Sequence, residues 1–396
     1  MTTDQSVTGS GSGSLLPTDT YAGTLVGRVW SPDAGGPSPV VVRPDGVFDI
    51  STSFATIRDL CEQPQPAAAA AQADGALVGK LEEIVANTRQ GGRDPGRPWL
   101  LAPVDLHTLK AAGVTFAVSM IERVIEERVR GDADAAASMR EQILAEIGAD
   151  LAEVRPGTEE AARLRRFLVE RGLWSQYLEV GIGPDAEIFT KAPTLAAVGT
   201  GTPVGVPRSS SWNNPEPEVA LAVRSDGAVV GATLANDVNL RDVEGRSALL
   251  LPQAKDNNAS CAVGPLLRLF DDTFDLDAVR SMTVRLQIDG ADGFHLQGES
   301  HMSQISRDPL DLVRQLLGPH HQYPDGAVLM LGTMFAPTVD RGVAGMGFTH
   351  AEGDVVAISA AELGTLVNEV RFCEDCEPWS FGIGSLMRNL GGRGLL

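Results

Sequence analysis

No apolar run in the 396 residues is long enough to span a membrane, so a helical anchor is not expected. Cysteine is scarce. Cys61, Cys261, Cys373 and Cys376 are the full set, too few for a dense disulfide framework. Positive charge is also short: 32 Lys and Arg stand against 52 Asp and Glu, a formal charge of −20. Nucleic acids and anionic membranes repel such a surface, so neither is expected as a partner. No G-x-G-x-x-G sits between a strand and a helix, which argues against a dinucleotide fold. No internal repeat is visible. Residues 1–14 are polar and rich in Gly, Ser and Thr, with no basic region leading into an apolar one. They predict a loose tail rather than a secretion signal, and the cytoplasm is the expected compartment.

What is present suffices for a sizeable core. Hydrophobic residues make up 43% of the chain, and its length accommodates a large domain plus a small one. Gly23–Trp30 and Val40–Asp49 read as short strands, the second containing the turn Pro44-Asp45-Gly46. The Gly-, Arg- and Pro-rich stretch Gln90–Pro98 marks a boundary. This predicts a small N-terminal domain over 15–100 and a catalytic domain over 101–396. The middle is helical: Ile121, Val124, Ile125 and Val129 recur at helical spacing, a second helix covers Ala135–Gly148, and a third runs from a Thr158 cap to a Gly172 stop. From Glu187 the pattern turns to strands. Val219–Arg224 and Ala228–Leu234 flank Ser225-Asp226-Gly227, a hairpin signature. Helices followed by a strand-rich region suggest an α+β fold.

The sharpest chemical signal is Asn213-Asn214-Pro215-Glu216-Pro217-Glu218 at the entry to an apolar strand. Residues two apart in a strand face the same side, so Glu216 and Glu218 aim two carboxylates at one spot. Two exposed glutamates at a strand edge would give the same pattern. The following strand, however, ends in Asp237, and a hairpin returns that acid to the same mouth. Like charges held together away from water need a positive neighbour, and oxygen ligands suit Mg2+ or Mn2+. Three carboxylates leave coordination positions open for a substrate. Cys373-x-x-Cys376 has no second pair and no nearby histidine, and reads as two free thiols in a loop. Ser119, Glu122 and Glu126 share one helix face at spacings of three and four. They can form a capping box and a solvated charge, or carry an acid/base group.

These segments resemble the fumarylacetoacetate hydrolase family. The resemblance rests on Glu216-Pro217-Glu218, Asn236-Asp237-Val238-Asn239-Leu240-Arg241-Asp242, Ala254-Lys255-Asp256 and Leu331-Gly332-Thr333, with Phe189-Thr190-Lys191 ahead of them. It implies a mixed β-roll catalytic core with a metal held by Glu216, Glu218 and Asp237. Trp212, Arg241-Asp242-Val243-Glu244-Gly245 and Gln253-Ala254-Lys255 extend it to a sugar-acid dehydratase branch. The resemblance implies Lys255 as a catalytic residue, either a neutral amine taking a proton or a charge stabilising an enolate. It makes Glu122, then Glu126, the candidate acid/base, and Arg241, Glu244, Thr333, Ser119 and Phe116 the substrate contacts. Family hydrolases carry a histidine where Ser119 stands, which disfavours hydrolysis and fits elimination. The implied activity is metal-assisted dehydration of a small 2-oxo sugar acid by a homodimer or homotetramer. Another reaction of the family, or a non-catalytic metal-binding protein on the same fold, remains the alternative.

Overall fold

A computed structural model describes residues 13–116, 120, 124, 154–170, 172, 174–335, 337, 339–341 and 347–396. Apart from Val124, the expected helices over 121–129 and Ala135–Gly148 lie outside these residues, as do Ser119, Glu122 and Glu126. The strands in chain order are β1 (Leu25–Ser31), β2 (Gly36–Arg43), β3 (Gly46–Asp49), β4 (Ala76–Gly79), β5 (Trp99–Leu101) and β6 (Thr108–Gly113). There follow β7 (Glu187–Ala192), β8 (Val204–Val206), β9 (Asn213–Asn214), β10 (Pro217–Val223), β11 (Val229–Asp237), β12 (Asn239–Leu240) and β13 (Cys261–Leu269). The last are β14 (Thr283–Asp289), β15 (His295–His301), β16 (Ala327–Met330), β17 (Val355–Ala360) and β18 (Gly364–Phe372).

The larger sheet has eleven strands, with path β4-β3-β2-β1-β13-β11-β10-β16-β6-β7 and β5 beside β1. A second sheet of five runs β15-β14-β17-β18-β8, and β9 pairs with β12 in a short ladder. The sheets are mixed: β16–β6 and β18–β8 are parallel, whereas β10–β11 and β11–β13 are antiparallel. With helices alongside, the architecture is α+β, and no closed barrel forms among the described residues. The N-terminal strands do not make a sheet of their own. Val26 of β1 sits opposite Leu267 of β13, so the edge of β13 is covered by β1 rather than left open.

The site is positioned by the most deeply buried hairpin. Every residue of β10 is buried, and so is every residue of β11 but its first. A strand covered on both faces reads as a continuous apolar run, as Val219-Ala220-Leu221-Ala222-Val223 does. Val219 and Leu221 join Leu234, Leu286, Leu329 and Ile358 in one core cluster, which ties the two sheets together. Each such side chain contributes roughly 1.5–3 kcal/mol on burial. Gly227, at φ +90°, closes the hairpin as the Ser-Asp-Gly signature predicts. The Thr158 hydroxyl accepts from Ala161 N–H at the start of the helix Glu159–Glu170, and Gly172 follows it at φ +67°. No helix among the described residues is long and apolar enough to cross a membrane.

Candidate metal centre

The sequence reads Glu216 and Glu218 as members of one strand, but β10 begins between them, at Pro217. Glu216 precedes β10, because Pro217 lacks an N–H and tolerates only the first position of the ladder. Glu216 is held all the same. Its N–H donates to Asn236 Oδ1 at 3.0 Å, and its carbonyl accepts Asp237 N–H at 3.0 Å. The hairpin register places Glu218 opposite Ala235 and Pro217 opposite Asn236. The end of β11 is thereby folded onto the start of β10. Glu216, Glu218 and Asp237 each present a carboxylate oxygen within 4.8 Å of the others. Each residue is only 1% exposed. Three buried carboxylates on hard oxygen donors fit a divalent cation such as Mg2+ or Mn2+.

Two lysines also reach this cluster. Lys255 ends the helix Leu251–Lys255, and its Nζ donates to Glu216 Oε2 at 2.5 Å and to Asp237 Oδ2 at 3.1 Å. It also lies 5.5 Å from the centre of the Phe189 ring. Lys191 of β7 is fully buried, with Nζ 2.8 Å from Asp237 Oδ1. It donates to the carbonyls of Val238, at 2.9 Å, and Lys255. Its contact with Asp237 is therefore an ion pair rather than an aligned hydrogen bond. Lys191 belongs to the Phe189-Thr190-Lys191 segment, which the sequence alone ties to no role. The signal was its alternation with Phe189, which puts both side chains on the strand face that looks at Lys255. Among the described residues, three carboxylates face two ammonium groups in a buried cluster. Desolvation costs several kcal/mol per buried ion, so this arrangement is tolerable only as a densely paired cluster. Burial, then Asp237, then Glu216 push the Glu218 carboxyl well above its usual range, against the pull of Gly332 N–H and Lys255.

The remaining residues surround this core unequally. Ala327–Gly332 reads as a strand in the sequence, but β16 stops at Met330. Gly332 adopts φ +105°, and its N–H donates to Glu218 Oε2 at 2.6 Å. A Cβ there would meet Thr115 Oγ1 at 1.9 Å, so only glycine fits. Thr333 Oγ1 lies 3.5 Å from Glu218 Oε1. The carboxylate these two groups meet here is thus a protein carboxylate. Arg241 is buried, donates Nε to Asn214 Oδ1 at 2.8 Å and stands over the Trp212 ring. Glu244 closes the same four-residue helix, Arg241–Glu244, and is also buried. Phe116 lies in the core cluster, bridged to Ile305. Cys373 and Cys376 are free thiols pushed up to about 12 and 11, chiefly by burial. That is the opposite of a reactive pair.

The family model for fumarylacetoacetate (FAA) hydrolase C-terminal matches residues 176–371, which contain all three carboxylates and both lysines. The chain carries this family's C-terminal domain. Its curated relatives include 2-dehydro-3-deoxy-D-arabinonate dehydratase of Saccharolobus solfataricus, 31% identical over 47% of this chain and 58% of the relative. A probable 2-keto-3-deoxyxylonate dehydratase of Haloferax volcanii is 32% identical over 51% of this chain and 65% of the relative. The chain thus spans about three fifths of the length of these relatives, both named as dehydratases, which are hydro-lyases. Among solved structures, 2-keto-3-deoxy-D-arabinonate dehydratase complexed with magnesium and 2,5-dioxopentanoate superposes with a TM-score of 0.61 at 19% identity. That superposition covers 88% of this chain and 99% of the other, and it establishes the likeness of fold.

The two lysines should separate in experiment. Lys191→Met removes a charge from the back of Asp237 and frees the Lys255 carbonyl, so it is expected to loosen both. A displacement of the order of 1 Å is enough to lower turnover about a hundredfold. Manganese should still bind, because the three carboxylates remain. Turnover at the wild-type level alongside normal manganese titration by electron paramagnetic resonance would show that Lys191 only fills space.

Proposed function

We propose that this protein dehydrates 2-keto-3-deoxy-D-xylonate (2-dehydro-3-deoxy-D-pentonate) to 2,5-dioxopentanoate, with Mg2+ or Mn2+ held by Glu216, Glu218 and Asp237. The observation that carries the reading is the Lys255 amine set between two of three convergent buried carboxylates. The dehydratase names of two relatives support it.

A bound dication supplies positive charge that polarises the 2-oxo group and acidifies the C3 protons. The protein's side chains do the rest. Lys255, sharing its carboxylate partners with a cation, is favoured as a neutral amine with a lone pair for the C3 proton. The C4 hydroxyl then leaves as water, taking a proton from the lysine or from another acid, for which Glu122 and then Glu126 are the candidates. Loss of a C5 proton and return of a proton to C3 convert the enone to an enol, which becomes the terminal aldehyde. No electron is gained or lost, so no redox cofactor is required. In this reading Arg241 and Glu244, with Thr333, Ser119 and Phe116, are the residues that contact the carboxylate and hydroxyls of the substrate. Arg241 brings the positive charge that an otherwise acidic protein needs for an anionic substrate.

Incubation with Mg2+ and 2-keto-3-deoxypentonates of both C4 configurations tests the assignment. Nuclear magnetic resonance should show 2,5-dioxopentanoate, and acylpyruvates should be cleaved poorly or not at all. Faster cleavage of an acylpyruvate than dehydration of either pentonate would replace dehydration by hydrolysis. The same protein is expected to be a homodimer or homotetramer. Light scattering that finds only monomer at micromolar concentration would contradict that expectation.

A further inference from the structure

We propose that a second ligand site, separate from the metal centre, lies between the N-terminal strands and the segment 376–381 and takes a small planar carboxylate. A cavity of about 440 Å3 opens there, within the range of small-molecule sites. Neither the three carboxylates nor the two lysines of the metal centre line it.

Arg28 supplies the charge. It projects from β1 into the cavity wall and is 95% buried, being 5% exposed. Its Nε donates to the Ala102 carbonyl at 2.8 Å. Among the described residues its two amino groups meet no acceptor and it forms no ion pair. Burial pushes this guanidinium below its ordinary value, with Asp105 opposing. A buried charge with no direct ion-pair partner is costly even with Asp105 farther off, and a forked donor of this shape matches a carboxylate. A second guanidinium stands on the same wall. Arg93 donates to the Thr88 carbonyl at 2.6 Å, while its buried Nε has no partner.

The wall also carries Gln90, Thr202, Asn258, Ser380 and Glu377, the last acting on Arg93, but aromatic rings make up much of what remains. Trp30 and Trp99 stack at 5.6 Å with 16° between their planes, and Phe381 meets Trp30 edge-on at 5.4 Å. Arg93 covers the Trp99 ring at 4.9 Å. Trp379 stands at the rim, 47% exposed. Aromatic faces accept a flat body by offset stacking, and the guanidinium fixes its acidic end. A bare inorganic anion would leave the aromatic wall unused, and a neutral aromatic would leave the Arg28 amino groups without a direct ion-pair partner.

Calorimetry on the full-length protein tests this with three probes: 2-naphthoate, the neutral 2-naphthylmethanol of similar shape, and inorganic phosphate. Naphthoate should bind once per chain, the alcohol at least about tenfold more weakly, and phosphate without saturation. Arg28→Met should weaken naphthoate by about tenfold or more and leave the alcohol unchanged. If that variant fails to fold, Trp379→Ala at the exposed rim should weaken both aromatics several-fold with the circular dichroism intact. Dehydratase turnover should be untouched by either change. Three results would each overturn the proposal: no saturable naphthoate binding, equal affinity for acid and alcohol, or affinities that neither variant alters. So would naphthoate binding seen only with subunit dissociation in light scattering, since the cavity would then be an interface between copies.

Discussion

Lys255→Met is expected to remove turnover by at least about a thousandfold, within the span that loss of a positioned acid/base group produces. The methionine keeps the apolar stem against Phe189 and deletes only the amine. Two effects should follow that a packing defect would not combine. Without metal, Glu216 and Asp237 lose a partner that sits at 2.5 and 3.1 Å. Removing one side of a buried pair costs about 3–5 kcal/mol, so the chelated variant should melt at a clearly lower temperature than chelated wild type. With Mg2+ present the gap should shrink, because the cation neutralises the same oxygens. Thermal melts in chelator and in magnesium measure the stability arm, and single-turnover kinetics measure the chemical arm. Wild-type turnover in the methionine variant would remove Lys255 from the mechanism and with it the central argument for elimination.

The part of this centre that could be read from the sequence is the part built by a short hairpin. Glu216, Glu218 and Asp237 lie within twenty-one residues of one another. Alternation along the strands and the Ser225-Asp226-Gly227 turn suffice to bring them together. Lys191 is different, because its partners Val238 and Lys255 are 47 and 64 residues away. Only the pairing of the sheet and the placement of the helix Leu251–Lys255 join them. Gly332 shows a second kind of limit. Its strand-like surroundings predict a continued strand, yet its positive φ turns the N–H onto Glu218. Local pattern cannot foresee a turn whose reason is a carboxylate 114 residues earlier. The α+β class was legible because helical and strand-like stretches are separated along the chain. The pairing of β1 with β13 was not, since the hydrophobic alternation of a strand that joins a larger sheet is the same as that of a strand in an independent one.

Glu218→Gln should lose activity as completely as chelation does, and it should gain stability in the same buffer where wild type is weakest. The loss follows from the ligand: an amide is neutral and binds a hard dication poorly. The gain follows from burial. Glu218 is 1% exposed, and desolvation together with Asp237 and Glu216 lifts its carboxyl well above the usual range. A carboxyl raised in the folded state binds a proton more readily there than in the unfolded chain. Metal-free stability should therefore rise as pH falls from neutral toward the unfolded value of about 4.3. Glutamine carries no such charge. Its metal-free stability should exceed that of wild type at neutral pH and lack this part of the pH slope, while Gly332 N–H keeps an oxygen acceptor at the position it meets in wild type. Titration with Mn2+ should show affinity lowered by about 10- to 100-fold, the scale on which metal sites respond even to changes in the groups that support their ligands. Chelated wild type should recover on adding magnesium, and the glutamine variant should not. A variant that is inactive yet binds manganese normally would place Glu218 outside the metal's ligands and leave Glu216 and Asp237 to hold it alone.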